Sequence, residues 1–297
     1  LKLTRSVFVT IAGRTNAGKS SLLNLIIGEK IASVSSKPQT TRTRITGIKT
    51  VDDLQMVFID TPGLHKPKNK LSEHMLNTVK ESVTDMDVIL YVLDSTKDFS
   101  PEETELLDSF NMSKQPVILL LNKIDLLEDK SQLMVKMLNY SKRWNFSAII
   151  PISVTKNDGI EDVMQEIEKF AVEAPHFFPD DKFTDQPEQV IASEIIREKL
   201  LRFLRDEVPH GVAVGIEVFK ERQDKDILDI SAVIYCERES HKRIIIGKQG
   251  AMLKKISSSA RMELENFFQI KVYLQCWVKI AENWRTKENM IRRFGLE

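Results

Sequence analysis

The sequence predicts an α/β domain with a mostly parallel sheet and helices on both faces, followed by a small α+β domain. Three observations predict it. Short, wholly apolar runs such as DVILYVLD, PVILLLNK and AIIPISV recur through the first part of the chain, as in strands buried on both faces. Helical patterns at 73–83, 102–112, 130–142 and 159–172 separate them, and such alternation implies a parallel sheet. Beyond Ala174 the order changes to α-β-β-α-α-β.

Taken in order, SVFVTIAG (6–13) reads as a buried strand, and Gly13 opens a loop into an amphipathic helix, SSLLNLIIG. ITGIKTV and LQMVFID follow as strands, then the three apolar runs. APHFFPDDKFTDQPEQ carries Pro175, Pro179 and Pro187 among acids and reads as a linker held to a surface by Phe177 and Phe178. A helix over 188–206 leads to two strands, VAVGIEVF and ILDISAVIYCE. A short helix ending at Gly247, a helix from Gly250 to about Phe267, the strand KVYLQCWVKI and a terminal helix complete the chain. The expected divisions are 1–173, a linker over 174–187, and 188–297.

Composition narrows the class. With 42% hydrophobic and 29% charged residues the chain is of ordinary globular type, and its formal net charge is zero. The two cysteines, Cys236 and Cys276, have neither disulfide-framework nor CxxC spacing and read as buried apolar residues in a reducing compartment. No apolar run approaches the roughly 18 residues of a membrane span, and no secretory signal opens the chain. The sequence begins at Leu1 without a methionine, so a few native residues are expected to precede it.

Three segments together describe one nucleotide pocket. GRTNAGKS (Gly13, Arg14, Thr15, Asn16, Ala17, Gly18, Lys19, Ser20), with Ser21 behind it, fits GxxxxGK[ST] between a strand and a helix. Its backbone N–H groups and the helix N-terminus suit phosphate oxygens. Lys19 is expected on the outer phosphates and the Ser20 hydroxyl on Mg²⁺. DTPG (Asp60, Thr61, Pro62, Gly63) closes a strand, with Asp60 placed to meet Mg²⁺ through water and the Gly63 N–H to meet the γ-phosphate. NKID fixes the base: the Asp125 carboxylate can accept from both guanine N1–H and the 2-amino group, which adenine lacks. Asn122 braces the loop, the Lys123 stem covers the ring face, and Ser153 or Val154 offers a backbone N–H to the guanine oxygen. GTP and GDP are therefore the expected ligands.

Catalysis is less fully specified. In SSKPQTTRTR, Thr41 is the chosen ligand for Mg²⁺ and the γ-phosphate, with Thr40 the alternative. Lys19, Thr41 and Gly63 form the expected catalytic set. The position after DTPG, where many GTPases place a water-orienting Gln, is Leu64. Asn16 suggests a compensation, a monovalent cation such as K⁺ held beside the phosphates; simple loop capping by Asn16 is the other reading. His65 and His74 lack an orienting carboxylate in sequence and read as surface residues.

The second part carries its own signal. From His241 to Arg261 the chain holds six Lys or Arg and no acid. Within it, Gly247-Lys248-Gln249-Gly250 joins two helices and matches the GxxG loop with which KH domains clamp a single-stranded backbone. Lys248 can meet phosphate, Arg243 is a further RNA-binding candidate, and Ile244, Ile245 and Ile246 can line the base groove. Lys254 and Lys255 extend the basic side. Trp277, in a strand, reads as core; Trp284 begins the terminal helix and is unassigned.

GRTNAGKS, PQTTR, DTPGLHKP, NKID, FTDQP, EIIREKLL, ERESHKRIIIGKQGAMLKKI and VYLQCWVKI together resemble the Era family of bacterial GTPases over essentially the whole chain. The resemblance implies a P-loop GTPase domain joined to a type II KH domain that binds small-subunit ribosomal RNA near its 3′ end. It further implies rRNA maturation, assembly of the small ribosomal subunit and some peripheral association with the inner membrane; a cytoplasmic monomer is expected. Thr15 and Ala17 depart from the usual G-x-P-N-V-G-K-S, and Ser153-Val154 from the usual Ser-Ala; neither removes a backbone donor. Two other readings stand beside it. One is an RNA chaperone or scaffold whose nucleotide is structural. The other is a GTPase of tRNA modification or membrane traffic, against which the GKQG loop counts.

Overall fold

The computed structural model describes the chain except residues 1–2, 36, 38–39, 64–69, 76–85, 114, 130, 224, 295 and 297. The chain divides into two compact units: Leu1–Ile31, Thr41–Lys66 and Met75–Asp185 form the first, and Ala32–Thr40, Pro67–His74 and Gln186–Glu297 the second.

The apolar runs of the first unit become β1 (Arg5–Gly13), β2 (Ile45–Val51), β3 (Leu54–Asp60), β4 (Val88–Asp94), β5 (Val117–Asn122) and β6 (Ala148–Pro151), with a two-residue β7 (Val172–Glu173). Among the described residues they form one sheet in the order β2-β3-β1-β4-β5-β6, with β7 against β1. β3, β1, β4, β5 and β6 are parallel; β2 and β7 pair antiparallel. Successive residues Ile89 and Leu90, and Ile118 and Leu119, are all 0% exposed, so both faces are covered. On one face, α2 (Pro101–Ser113) and the region of α3 (Ser131–Arg143) bring Leu107, Phe110 and Trp144 onto Tyr91, Leu93 and Leu119. α1 (Lys19–Ile27) packs on β1–β3, and α4 (Ile160–Glu168) on β1 and β6. The parallel strands all run toward one edge, where every nucleotide motif begins. Of the helix expected at 73–83, residues 73–75 are helical and the rest lies outside the described residues.

Residues 174–185 stay with this unit through Gln55, which is fully buried. Its side chain accepts from the Phe177 and Phe178 N–H groups at 2.8 and 3.0 Å and donates to the Phe178 carbonyl at 2.9 Å. Phe177 meets Phe8 edge-on with centroids 4.9 Å apart. His176 lies between the Asp53 carbonyl (3.0 Å) and the Asp180 carboxylate (2.6 Å). These two partners raise its pKa above the ordinary value, the carbonyl contributing most. A histidine raised on folding adds stability that is complete below about pH 6.5 and is lost as pH rises through the folded value. His176→Gln should therefore cost more stability in urea unfolding at about pH 5.5 than at about pH 9. An equal cost at both would show that the imidazolium charge is immaterial.

The second unit contains α5 (Glu188–Phe203), β8 (Ala213–Glu221), β9 (Ile227–Cys236), α6 (Glu239–Ile246), α7 (Ala251–Phe268), β10 (Lys271–Ile280) and α8 (Glu288–Arg293). Its sheet runs β10-β9-β8, with β10 parallel and β8 antiparallel to β9. Ile195, Ile196 and Leu200 of α5 and Ile256, Ala260 and Leu264 of α7 pack on Ile230, Ala232 and Ile234 of β9. α5 also buries three consecutive charges, Arg197, Glu198 and Lys199. Lys199 bridges Glu198 (3.0 Å) and Glu263, and Arg197 bonds Glu194 and the Thr40 carbonyl. The Ser33 hydroxyl reaches Glu194 and the Val34 N–H reaches Glu198, both at 3.0 Å. Residues 32–40, placed by chain order in the first domain, thus belong by contact to the second unit.

Trp284 is fully buried, in a 3₁₀ turn ahead of α8, donating to the Gly211 carbonyl at 2.9 Å and meeting Phe294 edge-on. Trp277 corrects the sequence reading: it is 54% exposed. Alternation along β10 turns Val272, Leu274, Cys276 and Val278 to the helices and Trp277 to the other face. Cys236 is buried, whereas Cys276 is only partly so. Among the described residues, no helix is long and apolar enough to cross a membrane.

Candidate functional site

The first pocket is assembled at the carboxyl ends of the parallel strands. β1 ends in Gly13, and the loop 14–18 wraps to the N-terminus of α1. Gly18 has φ 107°, and a Cβ there would lie 2.2 Å from Asn122 Nδ2, so only glycine fits. Asn16 also takes a left-handed turn (φ 63°), which asparagine tolerates. Lys19 is buried and donates to the Gly13 and Arg14 carbonyls, both at 3.1 Å. Burial lowers its pKa, against the attraction of Asp60 and Glu103. Such a lysine is poorly hydrated and gains from a phosphate. Arg14 and Asn16 are exposed, Thr15, Gly18, Ser20 and Ser21 half-buried, and Ala17 buried.

Ser20, Thr41 and Asp60 converge. The Ser20 hydroxyl lies 2.7 Å from Thr41 Oγ1 and donates to Asp60 Oδ2 at 2.7 Å; Thr41 donates to the same oxygen at 3.3 Å. Thr40 turns away, its hydroxyl on the Lys37 carbonyl at 2.7 Å, and Thr41 is the threonine that meets Ser20 and Asp60. Asp60 is fully buried, and its Oδ1 has no hydrogen-bond partner. Burial raises its pKa, opposed chiefly by Lys19 and the two hydroxyls. Two hydroxyls and an orphaned carboxylate oxygen are a hard-oxygen donor set of the kind Mg²⁺ takes. Thr61 folds back on β1, its hydroxyl donating to the Ile11 carbonyl at 2.9 Å. A Cβ on Gly63 would lie 2.7 Å from Thr15 Cα, so DTPG abuts the phosphate loop. Pro62 is buried beside it. Leu64 and His65 lie outside the described residues, and His74 is half-buried.

The base end is built around Asn122, at the end of β5. Its Nδ2 donates to the Ala17 carbonyl at 2.8 Å, and its Oδ1 accepts from the N–H groups of Lys123 (2.8 Å) and Val154 (3.2 Å). One side chain thus ties the phosphate loop to both base loops. Asp125 receives the Ser153 hydroxyl at 2.6 Å and the Thr155 hydroxyl at 3.3 Å. The Ser153 bond, with the weaker Thr155 bond, holds this carboxyl below its usual range, so it is an ionised acceptor near neutrality. The Ser153 N–H is spent on the Asp158 carbonyl, so the expected backbone donor to guanine falls to Val154, which would share its long bond with Asn122.

Sequence reasoning missed Asp94 and Thr155. Asp94 ends β4 opposite Asn122 and pairs with Lys123 Nζ at 2.7 Å, which sets the lysine stem. Burial pushes the Asp94 carboxyl up, but the bonds from Lys123 and Thr96 outweigh it and leave it lowered. An acid at the carboxyl end of a parallel strand was the available signal.

The second unit holds the other candidate surface. Gly247 (φ 73°), Gln249 (φ 51°) and Gly250 (φ 77°) turn the chain between α6 and α7, and a Cβ on Gly247 would lie 2.7 Å from Met252 Cβ. Arg243, Lys248, Gln249, Lys254 and Lys255 are exposed around this turn. The isoleucine run needs correction. Three consecutive helical residues point about 100° apart, so Ile245 is fully buried in the core and only exposed Ile244 and half-buried Ile246 can face a groove.

Comparison with known proteins agrees with both halves. Residues 8–123 match a family described as a 50S ribosome-binding GTPase, and residues 207–285 match the KH domain family. The chain is 48% identical to GTPase Era of Clostridioides difficile, over 98% of each chain. It is 49% identical to GTPase Era of Ruminiclostridium cellulolyticum, over 98% of this chain and 97% of that protein. Its structure matches a single-residue variant of Aquifex aeolicus Era bound to GDP·AlF4⁻ with a TM-score of 0.95, at 36% identity over 99% of both chains. An Era complex with MgGDPNP and nucleotides 1506–1542 of 16S ribosomal RNA matches equally well, with TM-score 0.95, 36% identity and 99% coverage of both.

Proposed function

This chain belongs to the Era family of GTPases, GTP-hydrolysing enzymes with a KH domain, and we propose that its GTP cycle times the binding of small-subunit ribosomal RNA. The role is rRNA maturation and assembly of the small ribosomal subunit. The observation that carries the RNA half is the GKQG turn, its three positive-φ residues set within a run, 241–261, that holds six Lys or Arg and no acid. The Era structure holding a 16S rRNA fragment supports the same reading. Arg243 and Lys248 take phosphates, Ile244 and Ile246 meet bases, and Lys254 and Lys255 extend the track. By chain order we assign 1–173 to the GTPase domain, 174–187 to the linker and 188–297 to the KH domain, although residues 32–40 group by contact with the second unit. The protein works as a cytoplasmic monomer with peripheral association with the inner membrane.

In the nucleotide pocket, the N–H groups of residues 13–21 cradle the phosphates and Lys19 neutralises the outer ones. Ser20 and Thr41 would hold Mg²⁺, with Asp60 expected to act on it through water. Bound there, the ion supplies charge stabilisation at the β- and γ-phosphates. Gly63 offers its N–H to the γ-phosphate beside Thr61 and Pro62, Asp125 and Val154 read guanine, and Lys123 covers the ring.

With no side chain assigned to orient water, Asn16 would hold K⁺ beside the phosphates, where the cation would supply charge to offset that developing in hydrolysis. Single-turnover GTP hydrolysis in K⁺ and in Na⁺, with and without small-subunit RNA, tests this. K⁺ should speed the native chain by about tenfold or more and leave Asn16→Ala unmoved. Equal rates in the two salts would remove the cation from the scheme. RNA affinity indifferent to GTP or GDP would favour an RNA chaperone whose nucleotide is structural.

A further inference from the structure

The outer face of the second unit's sheet is left uncovered over much of β10. Tyr273 and Trp277, four residues apart on that edge strand, are 50% and 54% exposed, with Gln275 between them. Cross-strand contacts show that they share one built face. Arg222 lies over the Tyr273 ring at 5.4 Å and is clamped by both oxygens of Asp229, at 2.8 and 2.7 Å. Lys279 reaches across β9 to Glu217 on β8 at 3.2 Å. Lys220, opposite Asp229, and Lys271, two residues before Tyr273, keep the same parity. Four cations against two acids give the rim a positive balance.

We propose that this face is a second nucleic-acid surface, on which unstacked RNA bases lie against Trp277 and Tyr273 while Lys271, Lys279 and Lys220 meet the backbone. The argument rests on the reading of the GKQG turn as an RNA clamp. Three features favour RNA as the occupant. Flat aromatic rings flanked by cations suit bases and phosphates together, because every base has a π-face and every linkage a negative charge. The rings are about 13 Å apart along the strand, too far for two stacked neighbours, so each takes one splayed base of a single strand. β10 is also the strand on which both α6 and α7 pack, so its edge flanks the helix pair carrying the GKQG turn. A strand leaving the clamp reaches this face by crossing one edge, and the footprint exceeds the clamp's own four nucleotides.

Fluorescence anisotropy with labelled single-stranded RNAs of about four and about sixteen nucleotides tests it. Tyr273→Ala/Trp277→Ala should bind the long RNA about tenfold more weakly and the short one as the native chain does. Lys248→Glu/Lys254→Glu should lose both. The chain has three tryptophans, and Trp144 and Trp284 are buried, so quenching of native fluorescence by the long RNA reports on Trp277 and should vanish in Trp277→Phe. Circular dichroism of each variant confirms that it is folded. Unchanged affinity of the aromatic variant for the long RNA, beside a weak loop variant, would overturn the second surface and leave the clamp standing. A native chain that binds neither RNA would instead refute the clamp. Self-association of the native chain that the aromatic double substitution abolishes, with RNA affinity intact, would reassign the face to a second copy.

Discussion

Replacing Asp125 by asparagine should turn a GTP-selective pocket into one that prefers xanthosine triphosphate. The carboxylate has two acceptor oxygens for two guanine donors, N1–H and the 2-amino group. Asparagine keeps one acceptor and sets an NH₂ against the 2-amino group, so two donors face each other. The cost of leaving such a group unpaired is about 3 kcal/mol, which lowers GTP affinity on the order of a hundredfold. Xanthine carries a carbonyl where guanine has the amine, and the amide can donate to it. The local structure tolerates the change. The retained oxygen can still accept from Ser153, and the Thr155 hydroxyl, now a donor to Asp125 Oδ2, can instead accept from the new amide. Competition of GTP and xanthosine triphosphate for a fluorescent GDP analogue measures the switch. Undiminished GTP preference in Asp125→Asn would assign base reading to another group.

The pocket was legible in the sequence because its parts are local. GRTNAGKS, DTPG and NKID each encode a backbone turn at a strand's end, and a parallel sheet brings strand ends together without further information. Choices that depend on tertiary contact were not legible. Position in the loop favours Thr41 over Thr40 but reports no contact; in the fold Thr41 meets the Ser20–Asp60 pair and Thr40 the Lys37 carbonyl. Asp94 meets Lys123 because β4 lies beside β5, which no local pattern reports. Residues 32–40 join the second unit through bonds to Glu194, Arg197 and Glu198, well over a hundred positions away. Trp277 and Ile245 fail for a shared reason. Residue type alone assigns a tryptophan in a strand to the core and an isoleucine beside a loop to a groove. Periodicity decides otherwise, since the two-residue alternation of β10 turns Trp277 outward and the helical phase of α6 turns Ile245 inward.

Asp60→Asn should be the most damaging single change to hydrolysis while leaving the fold intact. Asparagine has the same shape, and its oxygen can keep the bonds from Ser20 and Thr41 that now end on Oδ2. Its amide nitrogen then occupies the place of Oδ1, the buried oxygen with no protein partner. A donor there would face the proposed Mg²⁺ site, and the charge opposite the ion would be gone. The protein otherwise maintains that charge at a cost, since burial raises the Asp60 carboxyl and Lys19 and two hydroxyls work against the rise. Metal stabilisation of transferring phosphoryl groups is worth several kcal/mol, so turnover should fall on the order of a thousandfold. The affinity of GDP, which depends less on the ion, should fall far less. Titration of Mg²⁺ against single-turnover hydrolysis separates the effects: the variant should need much more metal and still not recover the native rate. A native Mg²⁺ dependence in Asp60→Asn would show that Ser20 and Thr41 suffice, and that the orphaned oxygen serves Lys19 rather than the ion.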